Sequence, residues 1–380
     1  MSEKVKLGEL YNISSGGTPS KKHKEYYENG TIKWVKTGDL KDKYLYDVGE
    51  FITKKGLNNS SAKIYDVDTV LLAMYGATIG ATSILKTEAC TNQACASFKK
   101  IEKIIPEYLY YFLKSKKEQF VKDSFGGAQP NISISYLKNI VIDLIDLDAQ
   151  FKIVNELNKI EDIIKLKEEQ LQRLNELIKS QFVEMFGDPF LNDKNWKTNT
   201  IGNCCALKSG NSLPTEVENE GGDILYIKVG DMNLKGNEKY ITTSSHKVTE
   251  ATAGKGIFEL GTVLFPKRGG AIGTNKKRLT KSKICADLNI MGVTPIKEIN
   301  SEYLYSYFLF IDLGTLNNGS SVPQINNKDI EPLIIQIPPI ELQNKFAEFV
   351  KQVDKQKFEI EKSLKEMQEL YESLMDKYFG

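Results

Sequence analysis

The sequence predicts two tandem domains of mixed α/β (α+β) class. Each is followed by a long helix, and the two helices pair as an antiparallel coiled coil about a pseudo-twofold axis. Three observations predict this. Thr69-Val70-Leu71 through Gly76 to Ile79-Gly80 returns as Thr262-Val263-Leu264 through Gly269 to Ile272-Gly273, with six of twelve positions identical at an offset of 193. Short β-rich runs bounded by glycines occur in both halves in the same order. Finally, each half ends in apolar residues spaced alternately four and three apart, the signature of a coiled-coil seam rather than of a surface helix. Other matches hold the same period: Glu107-Tyr108-Leu109-Tyr110 returns as Glu302-Tyr303-Leu304-Tyr305 at 195, and Phe186-Gly187 as Phe379-Gly380 at 193. A period near half of 380 residues is a duplicated folding unit.

In the first copy, Ile32 to Lys36 and Thr69 to Tyr75 read as strands. Pro106 suits the first position of a helix running to about Lys122. A polar glycine loop follows from Ser124 to Asn131, and Asn139 to Leu144 reads as the closing strand. In the second copy the strands are Leu225 to Val229 and Thr262 to Pro266. Ser301 is read as the cap of a helix through Phe310, Asn317 to Asn326 as the polar loop, and Leu333 to Ile337 as the closing strand. The expected domains are 1–146 and 188–339, with helical spacers at 147–187 and 340–380.

The first seam runs through Ile153, Leu157, Ile160, Ile164, Lys167, Leu171, Leu174, Ile178, Gln181 and Met185. The second runs through Phe346, Val350, Val353, Lys357, Ile360, Leu364, Met367, Tyr371, Leu374 and Tyr378, each displaced by 193 from its counterpart. A helix of roughly 35 residues is about 50 Å long. Neither seam is stable alone in water, so each is expected to bury the other rather than pack only on its own domain. Parallel pairing would force the second domain to span the whole rod. Antiparallel pairing needs no crossover and gives a dumbbell.

Composition bounds the function. Hydrophobic content is 41% and charged content 27%, as expected of a folded protein. The net charge of +1 confines any nucleic-acid binding to local patches. No run of about 20 apolar residues appears, so no membrane span is expected. Cysteines 90, 95, 204, 205 and 285 form no Cys-x-x-Cys pair, and there are two histidines, so neither a zinc site nor any other metal site is expected. Free thiols and the lack of an export signal suggest the cytoplasm.

Catalytic signatures are missing. Gly269 to Lys277 is glycine-rich and basic but lacks the spacing of a phosphate-binding loop. Gly187-Asp188-Pro189-Phe190 faintly resembles an amino-methyltransferase turn but lacks its second proline, and fits a helix terminus better. No Asp/Glu-x-Lys cluster stands out in both copies. His23 and His246 occupy unmatched positions, which excludes a repeated histidine site.

A binding signal remains. Lys21, Lys22 and Lys24 follow Gly16-Gly17-Thr18-Pro19, and Lys267-Arg268 and Lys276-Lys277-Arg278 flank Gly269-Gly270. Basic residues on glycine loops beside aromatic and amide side chains suit phosphate anchoring and base-edge reading. On composition alone, a solvated charge run explains them as well. The repeat argues for binding, because Met74-Tyr75 becomes Lys267-Arg268 and Gln129-Pro130-Asn131 becomes Val322-Pro323-Gln324 within one frame. The candidate DNA contacts are Lys21, Lys22, Lys36, Tyr75, Gln129 and Asn131, then Lys228, Lys267, Arg268, Lys276, Lys277, Arg278, Ser320 and Gln324.

The chain resembles the specificity subunit of type I restriction-modification systems over essentially its whole length. The likeness rests on Leu7-Gly8-Glu9 leading to Ser15-Gly16-Gly17-Thr18-Pro19, on Trp34 to Asp39, and on Thr69 to Gly80. It continues through Gly127 to Ile132 and the heptad helix ending Phe182 to Gly187, followed by a second round of all of these. The second copy departs at Ile201-Gly202-Asn203 and Ser209 to Ser212, where the Gly-Gly-Thr turn is absent. The resemblance implies two target-recognition domains held apart by helical spacers, each reading half of a split, asymmetric site in double-stranded DNA. It implies a non-catalytic chain without cofactors of its own. S-adenosylmethionine would be used for adenine N6 methylation by a partner modification subunit, present in two copies. ATP and Mg would serve a restriction subunit. The specificity component of a two-subunit system that cuts on both sides of its site fits the same residues. A stand-alone methyltransferase or nuclease and a coiled-coil scaffold without a DNA role are the rivals from other classes. Activity of the purified chain would favour the first; sequence-specific DNA retention would exclude the second.

Overall fold

The structure is a computed structural model that describes residues 3–126, 130–218, 221–296, 298–316 and 322–380. It divides into two compact units. Unit 1 comprises residues 1–168 and 363–380, and unit 2 comprises residues 169–362. Each unit therefore takes one domain, the near part of that domain's own long helix, and the far part of the other long helix.

Unit 1 holds a five-stranded mixed sheet in the order Ser14–Ser15, Cys95–Phe98, Val70–Ala73, Thr82–Leu85, Tyr44–Leu45. A four-stranded sheet runs Phe51–Ile52, Ile32–Val35, Ala89–Thr91, Ile64–Tyr65. Val70–Ala73 is buried at every position, and its alternation explains why. Val70 and Leu72 point into a core shared with Leu109 and Phe112. Leu71 and Ala73 point the other way, into a core with Leu85 of the same sheet and Val35 and Tyr65 from the second. A strand covered on both faces needs an unbroken apolar run, which Val-Leu-Leu-Ala supplies.

Unit 2 repeats the plan. Its five strands are Cys205–Ser209, Ile290–Pro295, Val263–Pro266, Arg278–Thr280 and Tyr240–Ile241 in that order. Its second sheet runs His246–Val248, Ile224–Ile227, Ile284–Ala286, Ile257–Phe258. Here Val263 and Phe265 face the core with Leu304 and Phe308, and Leu264 faces the opposite core with Ile227.

Several local boundaries differ from expectation. The helix from Pro106 ends at Ser115, and a second short helix, Lys117–Lys122, follows. Ser301 is the first helical residue, and Asn300 is the cap, its carboxamide oxygen accepting from Glu302 N at 2.8 Å. The closing strand is only Val141–Leu144, because Ser133 caps a helix over Ile134–Asn139. The closing strands pair with Glu3–Lys6 and, in unit 2, Lys197–Thr200.

The long helices are Leu147–Phe186 and Ile340–Phe379, 40 residues each. That is about 60 Å apiece, longer than the expected 50. Gly187 stops the first: its φ of 81° favours glycine, and its N–H donates to Val183 O at 2.8 Å. In unit 1 the pairing is antiparallel, with Tyr371 OH on Glu161 at 3.0 Å and Tyr378 OH on Glu156 at 2.5 Å. In unit 2, Phe182 packs on Phe346 and Lys357 Nζ donates to Asn175 Oδ1 at 2.8 Å, again antiparallel. Every seam residue is buried or half-buried.

The seam is not uniform, however. Ile153, Leu157, Ile160, Ile164, Tyr371, Leu374 and Tyr378 merge with the unit 1 core. Leu174, Ile178, Met185, Phe346, Val350 and Val353 merge with that of unit 2. Leu171, Ile360, Leu364 and Met367 are half-buried and join neither core. The helix ends are deeply set too: Phe186 is fully buried in unit 2, and Phe379 is buried in unit 1 against Tyr108 and Phe112.

All five cysteines are free and buried. Among the described residues, no helix is long and apolar enough to cross a membrane.

Candidate nucleic-acid interface

In each unit, three backbone segments are tied together at one end of the two sheets. In unit 1 the strand Ile32–Val35 ends beside a turn at Asn92, whose N–H donates to Val35 O at 3.0 Å. The same turn receives the end of Val70–Ala73, where Met74 N donates to Ala94 O at 2.8 Å. The polar loop then joins: Gly76 N donates to Pro130 O at 2.9 Å, and Tyr75 bridges to Asn131. Gly76 has a φ of 68°, in the left-handed region that favours glycine, where the strand turns sharply.

Unit 2 builds the same knot from different residues. Asp287 N donates to Ile227 O at 2.8 Å, and Lys267 N to Asn289 O at 2.8 Å. Gly269, also at a φ of 68°, donates to Pro323 O at 2.8 Å, and Arg268 bridges to Gln324. Tyr75 with Asn131 thus occupies the place that Arg268 with Gln324 occupies in the other unit. Gln129 and Ser320 lie outside the described residues.

The glycine turn at the start of each domain closes on this knot. Gly17 N donates to Thr91 O at 2.9 Å, and Trp34 Nε1 donates to Gly17 O at 3.0 Å. A Cβ on Gly16 would sit 1.9 Å from Thr91 O. Ser209 to Ser212 replaces the Gly-Gly-Thr turn yet takes the same place: Asn211 N donates to Ala286 O at 2.8 Å, and Tyr226 OH to Asn211 O at 3.2 Å. A Cβ on Gly210 would meet Ala286 O at 2.2 Å. The glycine that both copies keep, Gly16 and Gly210, lies against a backbone carbonyl in each.

Two lysines at the strand ends are matched. Lys36 and Lys228 donate their N–H groups to Asp39 Oδ2 and Asp231 Oδ2 at 2.7 and 2.8 Å. Their ammonium groups stand 5.2 and 5.9 Å from the centres of the Trp34 and Tyr226 rings. Each also meets a carboxylate, Glu50 for Lys36, and Glu218 Oε2 at 2.7 Å for Lys228. Beside these pairs lie open clefts. One, of about 410 Å³, is lined by Lys21, Lys24, Tyr27, Glu28 and Glu50. The other, of about 350 Å³, is lined by Glu218, Tyr226, Lys228, Asp287 and Asn289 among others. Lys21 and Lys22 are exposed.

The basic run of unit 2 is mostly turned inward. Lys267 is buried and donates to Ser209 Oγ at 2.7 Å, and burial lowers its ammonium below the usual lysine range. Lys277 is 3% exposed and holds Ile311 O at 2.6 Å and Asn275 Oδ1 at 2.7 Å. Arg278 binds the carbonyls of Lys277 and Met232, both at 2.8 Å. Lys276 is half-buried and bonds Asn233. Only Arg268 in this group is exposed, and among the described residues its side chain makes no hydrogen bond or ion pair. Of the three cations expected to anchor phosphate together, Lys277 and Arg278 hold backbone carbonyls and Lys276 meets the Asn233 side chain.

Burial pushes the Lys277 ammonium down to about 8, against the pull of Asp312. The folded value lies below the unfolded one of about 10.4. Below pH 8 the folded state thus bears the cost of a buried charge, and that cost fades as pH rises toward 10. Relative to a Lys277→Met variant, the native chain should gain stability between pH 8 and pH 10 and run parallel below. Urea unfolding across that range checks this; parallel curves throughout would show that the ammonium is not desolvated.

The sequence reading missed the turn residues Asn92, Asp287 and Asn289 and the carboxylates Glu50 and Glu218. A signal was present: Cys90 and Asn92 recur as Cys285 and Asp287 at an offset of 195.

The profile of a family described as the type I restriction modification DNA specificity domain matches residues 2–176 and again 193–370. A type I restriction enzyme specificity subunit of Methanocaldococcus jannaschii, MjaIX, is 27% identical over 403 aligned residues, covering 98% of this chain and 91% of that one. The EcoprrI specificity subunit of Escherichia coli is 21% identical over 375 residues, covering 93% and 87%. Among solved structures, a chain from a type I R-M system, studied for its complex assembly and conformational transition, aligns with a TM-score of 0.64 at 18% identity, covering 100% of this chain and 97% of that one. The S subunit of a type I system from M. genitalium aligns with a TM-score of 0.59 at 16% identity, covering 100% and 96%. At such identities the structural matches establish the fold, and the doubled profile match, spanning both halves of the chain, establishes the kinship: the chain belongs to the type I restriction-modification DNA specificity family.

Proposed function

We propose that this chain is the DNA-recognition subunit of a type I restriction-modification complex and reads a bipartite, asymmetric site. The observation that carries this reading is the duplicated knot. Its backbone hydrogen bonds are kept in both units, while the side chains at its tips change from Tyr75 and Asn131 to Arg268 and Gln324. Asn and Gln match adenine edges and Arg matches guanine, so the two sets suit two different half-sites. Lys36 and Lys228, common to both, suit the backbone contacts that carry no sequence information. Chemistry is assigned to partners: adenine N6 methylation with S-adenosylmethionine to a modification subunit in two copies, and cleavage with ATP and Mg to a restriction subunit.

The test is long-read methylome sequencing of cells expressing the chain with its cognate modification subunit. One methylated motif made of two unrelated short halves and an unread gap is expected. A continuous motif would refute the two-reader reading, and methylation by the purified chain alone would refute the division of labour.

A further inference from the structure

Each recognition domain is joined to its own long helix at two polar points, and the two points recur at the period of the duplication. The first is a glutamine with no exposed surface. Gln150 Oε1 accepts from Ile105 N at 2.9 Å, and its Nε2 donates to Lys103 O and Ile145 O, both at 2.9 Å. Gln343 does the same with Asn300 N, Glu298 O and Pro338 O, all at 2.8 Å. A buried carboxamide with three satisfied partners fixes the helix start against the loop before the domain's main helix.

The second point is an ion pair eleven residues further along each helix. Glu161 accepts from Lys43 Nζ at 3.2 Å, Tyr111 OH at 2.7 Å, Lys114 Nζ at 2.9 Å and Tyr371 OH at 3.0 Å. Lys43 also stands 4.4 Å from the centre of the Tyr111 ring. In unit 2, Asp354 accepts from Lys239 Nζ at 2.6 Å and Tyr240 OH at 3.3 Å, and Lys239 meets Glu302 at 2.8 Å. These lysines are 15% and 14% exposed, so both pairs are shielded from salt.

Eleven residues make three helical turns, so both points face the same side of the helix, about 16 Å apart. Leu157 and Ile160, and Val350 and Val353, also pack into the cores between the two points, but apolar contact is non-directional. Two attachments at that separation, to different parts of the domain, fix a direction.

We propose that Gln150 with Lys43–Glu161, and Gln343 with Lys239–Asp354, are positioning residues that set the angle of each recognition domain on its helix. They thereby set the number of unread base pairs between the half-sites. This rests on the two-reader reading above. They read no base themselves, so loosening them should blur the gap and leave the letters alone.

The experiment is a methylome of cells expressing the Lys43→Met/Lys239→Met chain with the modification subunit. The expected motif keeps both halves but includes gaps one base pair longer and shorter, with discrimination against them reduced about tenfold. Lys43→Arg/Lys239→Arg should restore most of it. Should the methionine variant fold poorly, Glu161→Gln/Asp354→Asn keeps the shape of each side chain and should blur the gap in the same way. Reduced methylation at one unchanged gap would overturn the proposal and leave a structural role only, and altered letters would overturn it in favour of base reading. If the native chain itself gives a continuous motif, the two-reader reading falls and this proposal with it. A native two-part motif with an unblurred variant gap defeats this proposal alone.

Discussion

Replacing Phe182 with Ala is expected to cost about 3–5 kcal/mol and to lower the melting midpoint of unit 2 by roughly 10 °C. Phe182 is 1% exposed and lies where the first long helix ends in the unit 2 core. Its ring stands 5.0 Å from Phe186, 5.3 Å from Tyr303, 5.2 Å from Phe310 and 5.6 Å from Phe346. Four rings around one leave little room for collapse, so truncation opens a cavity on top of the lost apolar burial. Each unit of the protein has one tryptophan, Trp34 in unit 1 and Trp196 in unit 2. Trp196 Nε1 donates to Phe186 O at 2.9 Å, so it reports directly on this helix end. Fluorine-19 NMR of fluorotryptophan-labelled chain, recorded through a melt, resolves the two indoles. The Trp196 signal should move to lower temperature at least as far as that of Trp34. A loss below about 1 kcal/mol would mean that the ring cluster is not packed as described.

Exchanging residues 1–146 for the matching domain of a relative should replace one half of the methylated motif completely and leave the other half unchanged. The expectation follows from the two knots, which share no residue. The exchange carries a structural condition. The incoming domain must supply partners for Glu161 and for Phe379, the roles now filled by Lys43, Tyr111 and Lys114 and by Tyr108 and Phe112. A donor lacking them would leave a half-buried carboxylate short of donors, which destabilises. Methylome sequencing of the exchanged chain with the modification subunit is the check. Change in both halves would show that the domains do not read independently.

Much of the fold was legible because its strongest constraints are periodic. A strand buried on both faces must be apolar throughout, and Val70–Ala73 and Val263–Pro266 are. A seam between two helices must repeat every seven residues, and both do. The polar residues were harder because their type alone does not say which way they face. Lys277 and Arg278 read as surface cations, yet the Ile311 and Met232 carbonyls draw them inward. Gln150 and Gln343 drew no notice in the sequence, yet each satisfies three buried backbone groups. Such partners are set by tertiary contacts that no local window contains. The turn at Ser209 to Ser212 was obscured for the opposite reason. Its letters differ from Gly16-Gly17-Thr18, while the one feature the backbone demands, a glycine against the Ala286 carbonyl, is retained.

The most direct test of the two-reader proposal is to lengthen the rod. The pair Asn175 and Lys357 sets the antiparallel register, which places Leu171 level with the turn that follows Ile360. One heptad inserted after Leu171 and one after Ile360 preserves the seam phase and adds about 10 Å, close to three base pairs of rise. The added base pairs also turn the far half-site around the DNA axis, so slower methylation is expected. Long-read methylome sequencing should find both half-sites letter for letter, separated by a gap about three base pairs longer. A folded, assembled chain that still methylates only the original gap would contradict the claim that helix length sets the distance between two independent readers.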